Sequence, residues 1–327
     1  MKTLPLFACG WLILAAGSPV RAAQNVAAAV RGAAASGDLS LAERQVQTYR
    51  QSVGVTPDLL EAESWLARGE LEAARYDRAD TFAMETRKLA VEMLAKSGHA
   101  NVPLPPLDVA LGAAIEVHAQ VLTARGSRTE AAAFLSKELA TYRQSSIAPR
   151  IQKNLNLLTL EGKPAPALDI SHWVGPKPQT LAALKGHPVL LFFWAHWCVD
   201  CKAEVPILAR LMSEYGSKGL VLIGPTQHYG YAGGGDEASP EQETRYIDQI
   251  RSQYYGALGS MPVPIVEANF GRYGCSTTPT LVLLDRAGVV RMYHPGAMSY
   301  ESLAEQIKRV MRPASLGTTT GRLAKHG

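Results

Sequence analysis

Six consecutive apolar residues, Val189-Leu190-Leu191-Phe192-Phe193-Trp194, run almost directly into the pair Cys198 and Cys201. A run this short, bulky and rich in β-formers reads as a strand buried on both faces. Such a strand needs helices above and below it and other strands beside it, which is an α/β layer structure. The rest of the chain from 160 to 312 supplies them. Val205, Leu208, Leu211 and Met212 recur at helical spacing over 203–215, 220–223 is a second apolar strand, and 241–254 is a second helix. Strands at 280–284 and 289–293 are joined by Asp285-Arg286-Ala287-Gly288, a hairpin turn by composition, and 301–311 is the final helix. The expected domain is α/β, with a central mixed sheet and helices on both faces.

Residues 24–158 have another texture. They are rich in alanine, poor in proline and helical throughout: Leu59, Leu60, Trp65 and Leu66, then Leu111, Ile115 and Leu122, then Phe134, Leu135 and Leu139 recur at three- and four-residue steps. Thr56-Pro57 is an N-cap followed by proline at the first helical position, and Gly54 and Gly126 mark stops. The segments Ala67-Arg68-Gly69 and Ala124-Arg125-Gly126 close or interrupt helices and suggest stacked helical hairpins, loosely tetratricopeptide-like, although their separation does not match that repeat. This all-helical domain reads as a packing or interaction module for an unidentified protein. Its two histidines, His99 and His118, are surface or satisfied core residues. Gly162-Lys163-Pro164-Ala165-Pro166 is the entry to the α/β domain.

The chain opens as an export signal over 1–23. Lys2 gives a positive start, 4–17 is apolar but shorter than the roughly 20 residues of a spanning helix, and Val20-Arg21-Ala22 precedes a cut after Ala22 or Ala23. Cys9 leaves with the leader, and an uncleaved leader would anchor the protein to the membrane. The expected location is therefore periplasmic or otherwise exported. Residues 313–327 read as a flexible tail. The 33 lysines and arginines are nearly matched by 29 aspartates and glutamates, which removes nucleic acid as a partner. A mean hydropathy of −0.03 removes general disorder, and four cysteines are too few for a stapled scaffold.

Two cysteines three apart at a strand-to-helix junction can close a small disulfide. The first stands where unpaired backbone N–H groups and the helix dipole favour a thiolate, the species that attacks disulfides. Cys198 is thus the attacking sulfur and Cys201 the resolving one. A zinc site would need about two more ligands, and the chain holds no second such pair and no paired histidine; no metal and no cofactor are expected.

The segment Phe193-Trp194-Ala195-His196-Trp197-Cys198-Val199-Asp200-Cys201-Lys202 resembles the active-site segment of the thioredoxin superfamily, and Thr278-Pro279-Thr280 resembles its cis-proline loop. Gly162 to Pro166, Leu184-Lys185-Gly186-His187-Pro188-Val189 and Cys201-Lys202-Ala203-Glu204-Val205-Pro206 are similar to the exported, TlpA/ResA-like (redoxin-type) branch. The likeness covers about half the chain, 160–312. It implies a thioredoxin-like fold and a thiol-disulfide oxidoreductase acting on protein thiols and disulfides, as a reductase fed by a membrane electron donor. It also implies a cis Pro279 and, with Thr278 and Trp197, contact with the substrate chain.

The sequence departs from that pattern in places. No proline precedes Cys201, where Val199-Asp200 stands, and Phe192 occupies the strand position at which thioredoxins carry a buried carboxylate. Glu204 shares a helix face with Cys201 and is a candidate proton acceptor; a first-turn glutamate facing solvent is the other reading. His196 reads as a solvated loop residue and Cys275 as a buried, inert thiol. The long segment 224–264, with Tyr229, Tyr231 and Gly233 to Gly235, is a candidate substrate-facing lid. Two other functions stand beside the exchanger. A peroxidase of the peroxiredoxin type would need threonine where Ala195 stands. A non-enzymatic partner-binding scaffold would use Cys198 and Cys201 as a structural disulfide or weak metal site.

Overall fold

The computed structural model describes residues 19–96 and 105–312, with side chains from Val26 onward. Most of the expected leader and the whole expected tail lie outside the described residues, as does His99. Tertiary contacts divide the chain into two units, with the boundary between Arg125 and Gly126.

The first unit is five helices: α1 (Pro19–Ala35), α2 (Leu39–Ser52), α3 (Pro57–Glu72), α4 (Tyr76–Lys96) and α5 (Pro105–Ala124). Thr56 caps α3, its hydroxyl accepting the Leu59 N–H at 3.2 Å, and Pro57 takes the first turn, where no N–H is required. Helix α3 packs against α1, α2, α4 and α5. Alanine explains how closely they approach: Ala67, Ala79, Ala83 and Ala114 are fully buried between α3, α4 and α5. Gly69 does not break α3 as its sequence suggests. It lies inside the helix, where a Cβ would stand 2.6 Å from Leu39 Cδ2, so glycine permits the contact with α2. Helix α5 is long and apolar enough to cross a membrane by composition, but most of it is buried in this unit.

The second unit begins with α6 (Arg128–Thr141) and α7 (Ala148–Thr159). These two helices, expected to close the helical domain at 158, belong instead with the sheet, because α7 lies against α10 (Glu267–Tyr273) and β6 (Val290–Pro295). Between them come β1 (Trp173–Val174), β2 (Val189–Phe193), α8 (Val199–Tyr215), β3 (Val221–Ile223), α9 (Pro240–Tyr254), β4 (Val263–Pro264) and β5 (Thr280–Leu284); α11 (Tyr300–Met311) closes the unit. The main sheet runs β3-β2-β5-β6, with β2 parallel to β3 and antiparallel to β5, and β1 pairs only with β4. This is the mixed sheet of a thioredoxin-like fold.

All five residues of β2 are buried, as a two-sided strand requires. Leu190, Phe192 and Trp194 meet Leu208, Leu211, Ile247 and Ile307 on one face; Leu191 and Phe193 meet Phe270 and Tyr273 on the other. Pairing of Phe193 with Thr280 then fixes the site, because it sets the segment after β2 beside the residues just before β5.

Candidate active site

Strand β2 ends at Phe193, and the chain turns through Trp194 to Trp197 into α8, whose N-cap is Cys198. Cys198 and Cys201 are joined by a disulfide. The Cys201 backbone N–H donates to Cys198 Sγ at 3.0 Å, one of the donors left open by the first turn of a helix. Both cysteines are buried, whereas Val199 is 75% exposed and Trp197 47% exposed, so the motif meets solvent through these two side chains.

The Thr278–Pro279 peptide bond is cis. Cys198 Sγ lies 3.5 Å from the Thr278 carbonyl oxygen, and the Thr280 hydroxyl donates to the Thr277 carbonyl at 2.6 Å, holding the turn. Cys198, Trp197 and Thr278 therefore form one surface, although Cys198 and Thr278 are 80 residues apart in sequence.

Glu204 is buried, 2% exposed, and accepts the Met298 N–H at 3.2 Å. The solvent-facing reading of this residue does not hold. Burial raises its pKa above the ordinary glutamate value, and the Met298 hydrogen bond only partly opposes that. Phe192, where thioredoxins carry a carboxylate, is fully buried against Tyr255.

His196 corrects the sequence reading: it is 1% exposed, not solvated. Its Nε2 lies 3.1 Å from Glu243 Oε1 in α9, and the rings of Tyr229, Tyr231 and Tyr246 stand edge-on to the imidazole with centroids 5.2 to 5.5 Å away. Burial depresses the His196 pKa against the opposing pull of Glu243. Glu243 is fully buried and also accepts the N–H groups of Tyr229, at 2.6 Å, and Gly230, at 2.8 Å. Sequence reasoning missed Glu243, which looks like a routine first-turn acid of α9. The root of the glycine-rich segment is consequently pinned rather than hinged, and Tyr229 stands edge-on to Trp197 at 5.5 Å as a wall of the site.

Cys275 is buried, with its thiol pushed well up by that burial despite a hydrogen bond with Thr280. Ala195, where a peroxidase of the type considered would carry threonine, is fully buried. Among the described residues no three histidine, cysteine, aspartate or glutamate side chains are grouped as metal ligands.

Known proteins are similar to part of this chain. The AhpC/TSA family profile matches residues 162–227. A thiol:disulfide interchange protein DsbE of Pseudomonas fluorescens biotype C is 31% identical over 163 residues, 45% of this chain and 79% of its own length. The thiol-disulfide oxidoreductase ResA of Bacillus anthracis is 29% identical over 149 residues, 46% of this chain and 78% of its own. Thioredoxin-like protein YneN of Bacillus subtilis (strain 168) is 28% identical over 149 residues, with shares of 45% and 78%. Among solved structures, the exposed lipoprotein thioredoxin of Streptococcus pneumoniae strain TIGR4 covers 42% of this chain and 98% of its own, at 23% identity and a TM-score of 0.34.

Proposed function

This chain belongs to the thioredoxin-like thiol-disulfide oxidoreductases, and from that premise we propose that it is an exported reductase of protein disulfides, with Cys198 attacking and Cys201 resolving. The observation that carries the roles is the Cys201 N–H aimed at Cys198 Sγ from the first turn of α8. A hydrogen bond and a helix dipole both favour negative charge on that sulfur over its partner.

In the reduced protein the Cys198 thiolate attacks one sulfur of a substrate disulfide. The substrate S–S bond breaks, a Cys198–substrate disulfide forms, and the other substrate sulfur leaves as a thiolate. Cys201 then gives up its proton and attacks Cys198 Sγ, which releases the second substrate sulfur and leaves the protein as the internal disulfide. Glu204 takes that proton: burial keeps its pKa raised, so it binds a proton more readily than a solvated glutamate. Two electrons have passed to the substrate, and an external dithiol donor must return them. The leader expected over 1–23 would put the protein in an oxidising compartment, where that donor is a membrane-borne dithiol.

Trp197 and Thr278, with Pro279, line the approach to Cys198. The aromatic face covers apolar surface, and the loop carbonyl beside the sulfur offers an acceptor to a substrate backbone N–H.

Trapping tests this reading. With Cys201→Ala the second step cannot occur, so mixed disulfides through Cys198 should accumulate with exported proteins in the native compartment. A Cys201→Ala protein that captures none, and a wild-type pair that resists dithiol reduction, would leave the alternative of a structural disulfide in a binding scaffold.

A further inference from the structure

Beside the cysteine pair the second unit holds a groove of about 900 Å³, within the range of built ligand sites. Its near wall is Trp197 and Thr278, the two residues that flank Cys198. Its far wall is the corner between α6 and α7, which contributes Arg143, Gln144 and Gln152. That corner lies upstream of 162, where the family profile match begins.

The far wall is held rigidly. Gly274 adopts a positive φ of 63°, and a Cβ there would stand 2.4 Å from the Lys153 backbone nitrogen, so α7 rests on a bare Cα. The buried Asn156 of α7 donates to the Tyr273 carbonyl at 2.9 Å, and Gln152 donates to Asn156 Oδ1 at 2.8 Å, which orients it. The same Tyr273 carbonyl accepts the Tyr293 hydroxyl at 2.8 Å. From Gly274 the chain continues through Cys275 to the Thr278 loop, so the corner and the sulfur-bearing surface are fixed to one another through a few residues.

We propose that this groove is a substrate-binding channel in which the α6–α7 corner receives the extended polypeptide flanking the substrate's reactive cysteine. Its lining suits a polypeptide over a small thiol. The side chains of Gln144, Gln152, Gln227 and Ser276 offer both donors and acceptors to the unpaired N–H and C=O groups of an extended chain. Arg143 and Glu267 supply one charge of each sign. The channel is continuous with the sulfur: a chain joined to Cys198 passes Trp197 or Thr278 on leaving it, and both belong to the groove. The inference rests on the proposed disulfide exchange, and the experiment separates the two.

The probes are a synthetic peptide with one central cysteine and N-acetylcysteinamide, each activated as its disulfide with 2-nitro-5-thiobenzoate. Attack by Cys198 of the full-length Cys201→Ala protein breaks that disulfide, forms the mixed disulfide and releases the coloured thiolate, with no net oxidation. The peptide should react about tenfold faster than the single amino acid, the gain expected of a few added contacts. Filling the groove from either wall, by Gln144→Trp or Ala268→Trp, should abolish that advantage. Leu157→Gln, on an exposed side chain of α7 outside the groove, should preserve it. Hydrogen exchange should show amides of 143–152 protected in the peptide adduct and not in the N-acetylcysteinamide adduct. Equal rates for the two probes, with no protection of 143–152, would overturn the channel while leaving the exchange reading intact. No adduct with either probe would overturn both.

Discussion

Glu243 Oε1 lies 3.1 Å from His196 Nε2, and this buried pair fixes the segment that enters the cysteine motif to the segment that walls it. Three donors converge on one carboxylate: the imidazole and the N–H groups of Tyr229 and Gly230. A carboxylate only accepts, so Nε2 is the donor of this pair, while burial pushes the ring toward its neutral form. His196 and Glu243 are both buried, so the imidazole has no water to turn to if this acceptor is lost.

Glu243→Ala should therefore destabilise the second unit by about 3 kcal/mol or more, because a buried acceptor is withdrawn from three donors at once. Glu243→Gln should cost less than the alanine variant, since its amide oxygen still accepts while its NH₂ faces a donor. Denaturant midpoints at constant slope measure both. Alanine as stable as wild type would mean that the carboxylate anchors nothing.

The cysteines should separate cleanly. Cys198→Ser should abolish disulfide exchange. Cys275→Ser should retain most of it and cost about 1 to 3 kcal/mol of stability, the range for a buried hydroxyl that is imperfectly paired. In the reduced native protein iodoacetamide should label Cys198 and spare Cys275, whose thiol is buried and held in the protonated form. Equal loss of exchange from the two serine variants would make Cys275 a third redox thiol.

Glu204→Gln tests the proposed proton acceptor. Its oxygen can still accept the Met298 N–H, but it cannot take a proton from Cys201, so resolution of the mixed disulfide should slow by about a hundredfold. Stability should move the other way. The folded protein holds the Glu204 proton more tightly than the unfolded chain, so ionising it costs stability as pH rises from the ordinary glutamate value of 4.5 through the raised one. Wild type should thus lose stability relative to Glu204→Gln across that window and stay parallel to it below. Parallel curves throughout would show that Glu204 ionises freely in the fold.

Glycines 274 and 288 offer a contrast. Both have positive φ, but a Cβ on Gly288 meets open space. Gly288→Ala should cost about 1 to 2 kcal/mol from backbone strain alone. Gly274→Ala adds a collision with α7 backbone and should cost clearly more. Equal thermal shifts for the two variants would contradict the close approach of α7.

Much of the site was legible because it is written locally. The apolar run of β2, the cysteine spacing, the Asp285-to-Gly288 turn and Thr278-Pro279 all carry their meaning within a few residues. The environment of His196 was not legible: its partner lies 47 residues downstream and only the packing of α9 brings it close. Glu204 was ambiguous for a similar reason, since its burial depends on Met298, 94 residues away. The end of the first helical unit was hidden because α6 and α7 are helices like α1 to α5, and helical spacing does not say which neighbour a helix covers. One clue was present: α7 buries two asparagines, Asn154 and Asn156, where a core helix would otherwise carry leucine or alanine.

The bare Cα of Gly274 also decides where this enzyme can be cut. A redox module trimmed at Glu161, where the likeness to its relatives starts, would be missing a strut. The Tyr273 carbonyl would lose its asparagine, the groove would lose its far bank, and the stretch feeding the sulfur-facing loop would swing on one side only. The boundary between the two units falls at Gly126, so the α6–α7 corner stands on the redox side of it.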